Sequence, residues 1–150
     1  MKIALASDHA GYELKIKLLK FLSQKGHEVK DLGTDSPDIP ADYPDFAAKA
    51  AEEIIEKRAQ RAVIICGSGV GACIAANKFK GIRAGLCHDA YSARQGVEHD
   101  DMNVLCLGSR IIGEELAKDL LSAFINARFT GEERHVKRLE KIKKIEDGGI

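Results

Sequence analysis

A cysteine stands where an apolar run meets a glycine-rich turn, in the stretch RAVIICGSGVGACIAANKF at residues 61–79. The run ends at Cys66, and Gly67, Gly69 and Gly71 follow at alternate positions before helix-like spacing begins. Backbone N–H groups at such a turn form a concave site for negative charge, and the adjoining helix dipole lowers the pKa of a nearby thiol. A thiol base beside this cradle is suited to removing a proton next to a carbonyl and stabilising the resulting enediolate. A buried cysteine that merely precedes a turn explains the same residues, and both interpretations stay open here.

Three other anion-binding motifs fit this turn poorly. Gly67-x-Gly69-x-x-Ala72 matches a relaxed dinucleotide fingerprint with Asp89 about 20 residues later, but that fingerprint normally follows the first strand and this turn follows the third. The loop ends in Gly-Ala-Cys, whereas a Walker A loop ends in Gly-Lys-Ser or Gly-Lys-Thr. A thiol phosphatase needs an arginine a few residues after its cysteine, and none is present. The residues therefore favour neither a nucleotide cofactor nor a phosphatase loop.

The composition limits the kinds of partner that the chain can bind. Its 150 residues suffice for one domain, residues 1–150, that buries roughly 70% of its unfolded surface. The 23 basic and 23 acidic residues cancel, so no global field favours nucleic acid or an anionic membrane. The first apolar run is too short for a signal peptide, and no run reaches the roughly 18 apolar residues of a membrane span. We therefore expect a cytoplasmic protein.

The four cysteines, at positions 66, 73, 87 and 106, do not form a metal-binding or disulfide pattern. There is no C-x-x-C pair and no histidine at zinc-finger spacing. Three of them lie in apolar segments, where a free cysteine usually packs as a small hydrophobic side chain. We expect no metal, no disulfide framework and no cofactor.

Short apolar runs alternate with longer helical patterns along the whole chain. Several runs are apolar at consecutive positions, as expected for parallel strands that are covered on both faces. The pattern predicts strands at 2–7, 27–33, 61–66, 82–87 and 103–108, and helices at 10–25, 42–58, 70–79, 89–98, 113–128 and 131–146. It thus predicts an α/β protein, a three-layer α/β/α sandwich whose five-stranded, parallel, doubly wound (Rossmann-like) sheet is followed by a C-terminal helix. Ligands bind beyond the carboxyl ends of the strands in such folds.

Five motifs, in order along the chain, resemble those of the ribose/galactose phosphate isomerase family, and within it ribose-5-phosphate isomerase type B. They are ASDHAG at 6–11, DYPDFA at 42–47, CGSGVG at 66–71, AANKFKGIRA at 75–84 and NVLCLGSR at 103–110. The resemblance extends from residue 2 to about residue 146. It implies metal-independent interconversion of D-ribose 5-phosphate and D-ribulose 5-phosphate through a cis-enediol, a step of the pentose phosphate pathway. It also implies a homodimer or homotetramer whose active sites are shared between subunits.

The resemblance implies a role for each matching residue. Cys66 matches the base that moves a proton between C2 and C1, and His99 matches the histidine that opens the furanose ring. Asp8 matches a contact to the sugar hydroxyls or the ring oxygen. The anion hole corresponds to Gly67, Ser68, Gly69, Val70 and Gly71, although Ser68 would equally serve as a helix N-cap. Further substrate contacts are implied for His9, Tyr43, Asn103, Arg110, Arg134 and Arg138, with the arginines holding the phosphate and His135 as a secondary candidate.

Position 100 departs from the family pattern. The family often has His-Asn-Asp-x-Asn before the fifth strand, whereas this chain has HDDMN at 99–103, with Asp100 in place of the first asparagine. The extra carboxylate would either repel an enediolate or point to solvent. It leaves open whether the side chain at position 100 contacts the substrate through a hydrogen bond.

Two other functions remain compatible with the sequence. One is isomerisation of a six-carbon phosphosugar, allose 6-phosphate or galactose 6-phosphate. The other is non-catalytic binding of a phosphosugar or nucleotide. In the galactose-6-phosphate enzymes two different subunits divide the catalytic elements, so the presence of both Cys66 and His99 here favours a self-sufficient homo-oligomer. The expected partners are thus a small-molecule sugar phosphate and further copies of the chain, with no nucleic acid and no membrane.

Overall fold

The computed structural model describes residues 1–149, which form a five-stranded sheet and six helices. The strands are β1 Lys2–Ser7, β2 Glu28–Asp31, β3 Arg61–Cys66, β4 Ala84–Leu86 and β5 Val104–Gly108. The helices are α1 Tyr12–Gln24, α2 Tyr43–Ile55, α3 Val70–Ala76, α4 Ala90–Asp100, α5 Glu114–Asn126 and α6 Glu133–Glu146. The predicted three-layer α/β/α architecture with a C-terminal helix is confirmed. Within these residues, no helix is long and apolar enough to cross a membrane.

All five strands run parallel, in the order β2-β1-β3-β5-β4. The chain passes outward from β1 to β2, and it then crosses to β3 on the other side of β1. Ligands in such sheets bind at this point of reversal, beyond the carboxyl ends of the strands. Because Ser7 pairs with Ile65 and Cys66 pairs with Gly108, the carboxyl ends of β1, β3 and β5 lie together.

Two apolar layers cover the sheet, because successive residues of a strand point to opposite faces. Ile3 and Leu5 of β1 face α1, α4 and α5, whereas Ala4 and Ala6 face α2 and α3. The second layer is built mostly from alanines, and their small side chains allow α2 and α3 to pack close to the strands. Helix α6 lies outside both layers and packs against α4.

Several elements are shorter than the sequence pattern predicts. Helix α2 ends at Ile55, because Lys57 adopts a left-handed backbone conformation with φ of 57°. The N–H groups of Arg58 and Ala59 then return to the carbonyl of Glu53, which closes the end of the helix. Strands β2 and β4 are short because each lies at an edge of the sheet and pairs with one neighbour only.

Helix α3 was predicted to reach residue 79 but ends at Ala76, where the next side chain turns to the edge strand β4. The Asn77 amide donates to the carbonyl of Ala84 through Nδ2 at 2.9 Å, and its Oδ1 accepts the N–H of Ala84 at 2.9 Å. The Cys73 thiol of α3 donates to the same carbonyl oxygen, that of Ala84, at 3.4 Å. The side chains of Cys73 and Asn77 therefore occupy the backbone groups that Ala84 presents away from β5.

Gly11 lies where α1 begins and approaches the backbone of β3. A Cβ atom at this position would lie 2.4 Å from the carbonyl oxygen and 2.8 Å from the carbonyl carbon of Ile65. These atoms belong to a central strand, so they cannot move aside as the end of a flexible side chain can. The absence of a side chain at Gly11 is therefore required for α1 to lie in its place.

We expect Gly11→Ala to lower the free energy of unfolding by about 1–3 kcal/mol, the usual cost of forcing extra volume into a packed interior. Gly113→Ala is the matched control, because no heavy atom lies within 4 Å of a Cβ at this helix N-cap. Its expected cost is about 0.5–1 kcal/mol, the difference between glycine and alanine caps, and Gly11→Ala shares this cost because Gly11 is the N-cap of α1. Urea denaturation of both variants measures the difference, and equal losses would contradict the packing argument.

Candidate active site

The Cys66 thiol is held in place at the carboxyl end of β3. The residue is 4% exposed, and its Sγ accepts the N–H of Gly69 at 3.1 Å. Its carbonyl oxygen accepts the backbone N–H of Ser109 at 2.9 Å and the Ser109 hydroxyl at 3.2 Å. The sulfur is therefore fixed by the turn that follows it, and the backbone is fixed by the segment that follows β5.

The turn from Gly67 to Gly69 exposes backbone N–H groups beside this sulfur. Gly69 has φ of +80°, and a Cβ there would lie 2.9 Å from the carbonyl carbon of Leu107. The N–H of Val70 donates to Ser68 Oγ at 3.3 Å, so Ser68 satisfies one donor at the start of α3. Within residues 1–149, the N–H groups of Ser68 and Gly71 have no hydrogen-bond acceptor. They remain available to bind a negatively charged oxygen.

A cavity of about 290 Å³ opens beside the thiol. We call its lining the thiol half-site: Asp8, Tyr43, Cys66, Gly67, Ser68, Gly71, Arg110 and Ile111. A Cβ on Gly71 would lie 2.6 Å from Tyr43 Cζ, and one on Gly67 would lie 3.3 Å from Arg110 Nη1, so these two side chains pack directly on the turn. The Arg110 guanidinium makes no ion pair within the described residues. A cavity of this size is just below the range of about 300–1,000 Å³ typical of complete ligand pockets.

Asp8 and His9 directly follow β1, at the same carboxyl end of the sheet as Cys66. Asp8 is 6% exposed and lines the cavity, and its Oδ1 accepts the N–H of Gly11 at 3.0 Å. The N–H of Ala41 donates to His9 Nδ1 at 3.1 Å and so anchors the loop before α2. His9 does not line the cavity, so its ring is adjacent to the thiol half-site rather than part of it.

A second group of predicted site residues lies on α4 and α6. His99 is in the last turn of α4, where its Nδ1 lies 2.7 Å from Gln95 Nε2. The His99 ring stacks on the buried ring of His135, with the centroids 4.1 Å apart and the planes inclined by 29°. Arg134 and Arg138 are exposed on α6 beside this pair. We call His99, Asp100, Arg134, His135 and Arg138 the histidine half-site.

The two half-sites lie at opposite ends of the strands, the thiol half-site at the carboxyl ends and the histidine half-site toward the amino ends. Helix α4 begins after the carboxyl end of β4, and its 11 residues extend about 16 Å toward the amino ends of the strands. Cys66 pairs with Gly108 at the carboxyl end of β5, whereas His99 precedes the amino end of that strand. The structure thus brings Asp8, Tyr43, Cys66 and Arg110 together and keeps them apart from His99, Arg134 and Arg138 of the same chain.

Asp100 and Asn103 occupy the connection between α4 and β5. Asn103 Oδ1 accepts the N–H of Arg83 at 2.8 Å, and its Nδ2 donates to the carbonyl of Gly81 at 2.9 Å. Its amide therefore braces the segment before β4 and has both polar atoms engaged within its own chain. Asp100 is half-buried, and its carbonyl oxygen accepts Arg83 Nε at 3.1 Å.

The other three cysteines differ strongly in acidity. A hydrogen bond with Cys106 is the largest cause that lowers the pKa of Cys73 to about 7, and the N–H of Leu86 and the Asn77 amide act in the same direction. Burial raises the pKa of Cys87 to about 11. The hydrogen bond with Cys73 and burial raise the pKa of Cys106 well above its ordinary value.

Within residues 1–149, no three His, Cys, Asp or Glu side chains are grouped to hold a metal ion.

Sequence reasoning did not select three residues that belong to these sites. Gln95 stands four positions before His99, and this helical spacing is a signal that could have identified it. The Ser109 hydroxyl donates to the carbonyl of Ala10 at 2.7 Å and so joins the ends of β1 and β5. Ile111 lines the cavity, but its apolar side chain carries no signal of function in the sequence.

His135 predicts a pH dependence of stability. Burial lowers the pKa of His135, with further lowering by His99, Arg134 and Arg138 and an opposing effect of Glu132. Since the folded pKa lies below the unfolded value of about 6.5, the unfolded chain binds more protons between the two values. His135 therefore makes no difference above pH 6.5 or so, and the folded state loses stability as the pH falls from there toward the lowered pKa.

We expect His135→Phe, which preserves a ring against His99, to reduce the loss of unfolding free energy between pH 7.5 and pH 5.5. Urea denaturation at one protein concentration provides the measurement, because self-association would otherwise shift the midpoints. The pKa of His27 is also lowered by burial, but His27 titrates in both proteins and cancels in the difference. Parallel losses in the two proteins would show that His135 is not responsible.

Comparison with known proteins identifies the family. Residues 3–142 match the family model described as Ribose/Galactose Isomerase. Ribose-5-phosphate isomerase B of Escherichia coli is 44% identical over 145 residues, which are 97% of this chain and 96% of that protein. The structure of Clostridium thermocellum ribose-5-phosphate isomerase B is similar with a TM-score of 0.95 at 45% identity and covers 99% of both chains. That of Mycoplasma genitalium ribose-5-phosphate isomerase B with bound ribulose 5-phosphate gives 0.92 at 39% identity, over 97% of this chain and 96% of that one. The chain therefore belongs to the ribose/galactose isomerase family.

Proposed function

We propose that this protein is an aldose–ketose isomerase that interconverts D-ribose 5-phosphate and D-ribulose 5-phosphate without a cofactor. The observation that carries the proposal is the Cys66 thiol, held beside the free N–H groups of Ser68 and Gly71 at a cavity that also contains Arg110. Likeness to ribose-5-phosphate isomerase B over nearly the whole chain supports the same substrate pair. The four free thiols fit an enzyme of the reducing cytoplasm.

The thiol half-site supplies the groups that proton transfer next to a carbonyl requires. The Cys66 thiolate takes the proton from C2 of the open-chain aldose, and the electron pair moves through C1 to O1. The N–H groups of the turn hydrogen-bond to the enediolate oxygens as charge develops on them. The Cys66 thiol then returns the proton to C1, while the hydroxyl proton of O2 passes to O1 and C2 becomes the ketone. No atom is gained or lost, so the reaction consumes no other reactant.

Arg110 and Asp8 have complementary tasks in this proposal. The guanidinium of Arg110 lies over Gly67 and has no carboxylate partner within residues 1–149, so it can attract an anionic substrate. Asp8 is oriented through the N–H of Gly11 and presents its other oxygen to the sugar hydroxyls. Tyr43 closes the cavity from the side of α2.

A complete site needs a second copy of the chain. The thiol half-site alone is small, and His99, Arg134 and Arg138 lie about a helix length away on the same chain. In a pentose 5-phosphate the reacting carbons and the phosphate lie at opposite ends of the molecule. We therefore place the histidine half-site of one subunit opposite the thiol half-site of another, so that His99 meets the sugar ring and the two arginines hold the phosphate.

Turnover of ribose 5-phosphate by the purified protein is the direct test. Cys66→Ala is expected to lower kcat by about 10²–10⁴, the usual contribution of a general base. Cys73→Ala is the matched control, because Cys73 is another free cysteine, on α3, that does not line the cavity. Retention of activity in Cys73→Ala together with its loss in Cys66→Ala supports the assignment. Near-full activity of Cys66→Ala would require another base.

The same assay separates the alternatives. Turnover of allose 6-phosphate or galactose 6-phosphate with a higher kcat/KM than ribose 5-phosphate would identify a six-carbon isomerase. Saturable binding of the phosphosugars without exchange of the C2 proton for solvent deuterium would identify a binding module.

Mixing two inactive variants tests whether the site is shared. Cys66→Ala and Arg138→Ala, combined under conditions of subunit exchange, are expected to recover activity, because each mixed dimer has one site with both residues intact. Cys66→Ala combined with Arg110→Ala is the control, since both residues belong to the thiol half-site and no mixed dimer restores them together. If exchange is verified and only background activity is found in the first mixture, Arg138 serves its own subunit or has no role.

A further inference from the structure

Two neighbouring side chains, Gln95 and His135, contact the imidazole of His99. Gln95 stands one turn earlier on α4, and its Nε2 lies 2.7 Å from His99 Nδ1. The ring of His135 packs face to face against the His99 ring at 4.1 Å. The first contact occupies one ring nitrogen, and the second limits rotation of the ring about its side-chain bonds.

Gln95 faces His99 with its amide nitrogen, and this orientation favours one of the two ring tautomers. An amide Nε2 is a donor only, so the nitrogen that receives its hydrogen bond must be unprotonated. The single proton of a neutral imidazole is then on Nε2, because the hydrogen bond at one ring nitrogen selects the tautomer. Within the described residues, His99 Nε2 has no hydrogen-bond partner and is not among the buried polar atoms that lack one, so it is accessible to a ligand.

The His135 ring presents no competing hydrogen bond to His99. Both of its nitrogens are buried without a partner, and they belong to a ring that stacks on the face of His99 rather than lying in its plane. The Glu132 carboxylate lies 3.8 Å from His135 Nε2 and pairs with Arg134 at 2.9 Å. Gln95 is thus the group whose hydrogen bond orients the His99 imidazole.

We propose that Gln95 is a positioning residue that fixes His99 as the Nε2–H tautomer, so that the sugar ring meets an N–H donor. The proposal rests on the function proposed above, in which His99 assists opening of the furanose ring. In this proposal Gln95 does not contact the substrate. Its side chain acts only by orienting His99, which stands one turn later on the same helix.

Nuclear magnetic resonance of the ¹⁵N-histidine-labelled protein at alkaline pH tests the tautomer directly. His99, assigned by its loss in His99→Asn, is expected to show a protonated Nε2 and an unprotonated Nδ1. Gln95→Glu replaces the donor by an acceptor and is expected to move the proton to Nδ1. Gln95→Met, of similar length, is expected to give a mixture of the two tautomers. The exposed Gln24 on α1 makes no side-chain hydrogen bond within residues 1–149, so Gln24→Glu is the control for added charge and is expected to change nothing.

Kinetics then connect the tautomer to the reaction. We expect Gln95→Glu to lower kcat for ribose 5-phosphate by about 10-fold to 10⁴-fold, the upper value being the cost of a wrong histidine tautomer in a serine protease. The loss for ribulose 5-phosphate is expected to be smaller, since this ketose cannot close a furanose ring. The proposal is overturned if the His99 tautomer is unchanged in both Gln95 variants, or if it changes while turnover of ribose 5-phosphate stays at the wild-type value. If the wild-type protein isomerises neither sugar, the proposed function fails, and the tautomer measurement still decides the role of Gln95.

Discussion

The backbone of the turn after β3 lies directly against the end of β5, and the rest of the thiol half-site depends on this contact. A Cβ on Gly108 would lie 2.6 Å from the carbonyl oxygen of Ser68, so the two segments meet without a side chain between them. The N–H groups of Ser109 and Arg110 donate to the carbonyls of Cys66 and Gly67 at 2.9 and 3.0 Å. This pairing fixes the turn on its strand, and the turn in turn holds the sulfur through the N–H of Gly69.

The separation of the two half-sites follows from the fold. In a parallel sheet the carboxyl ends of all the strands lie on one side, and the helices that return the chain end on the opposite side, near the amino ends of the strands. Residues at the end of α4 therefore cannot reach the carboxyl ends of β1 and β3 within one chain. In the proposed reaction, which needs both sets of groups, a second copy of the chain would complete the site, and catalysis would then depend on association. The stacked pair His99 and His135 would then form part of a contact surface as well as part of a site.

The sequence was sufficient to predict the class of fold and the order of its elements, because apolar runs of strand and helix length alternate without a break. It could not give the lateral order of β5 and β4, since the hydrophobic pattern does not record which strand is the neighbour. The motif residues form one set in the sequence, whereas the fold divides them between two half-sites. The hydrogen bonds of Asn103 to Gly81 and Arg83, and the acidity of Cys73, depend on contacts between distant segments, and no local pattern encodes those. The roles of the site residues themselves stay predictions.

The amide of Asn77 has a consequence for how copies of this chain can meet. An open edge strand offers N–H and C=O groups to which a further strand can be added, and unprotected edges of this kind lead to aggregation. In β4 the outward-facing N–H and C=O groups of Ala84 are already bonded to the Asn77 amide. A strand added at this edge would have to displace that amide. Asn77 therefore opposes the growth of a continuous sheet from one molecule to the next.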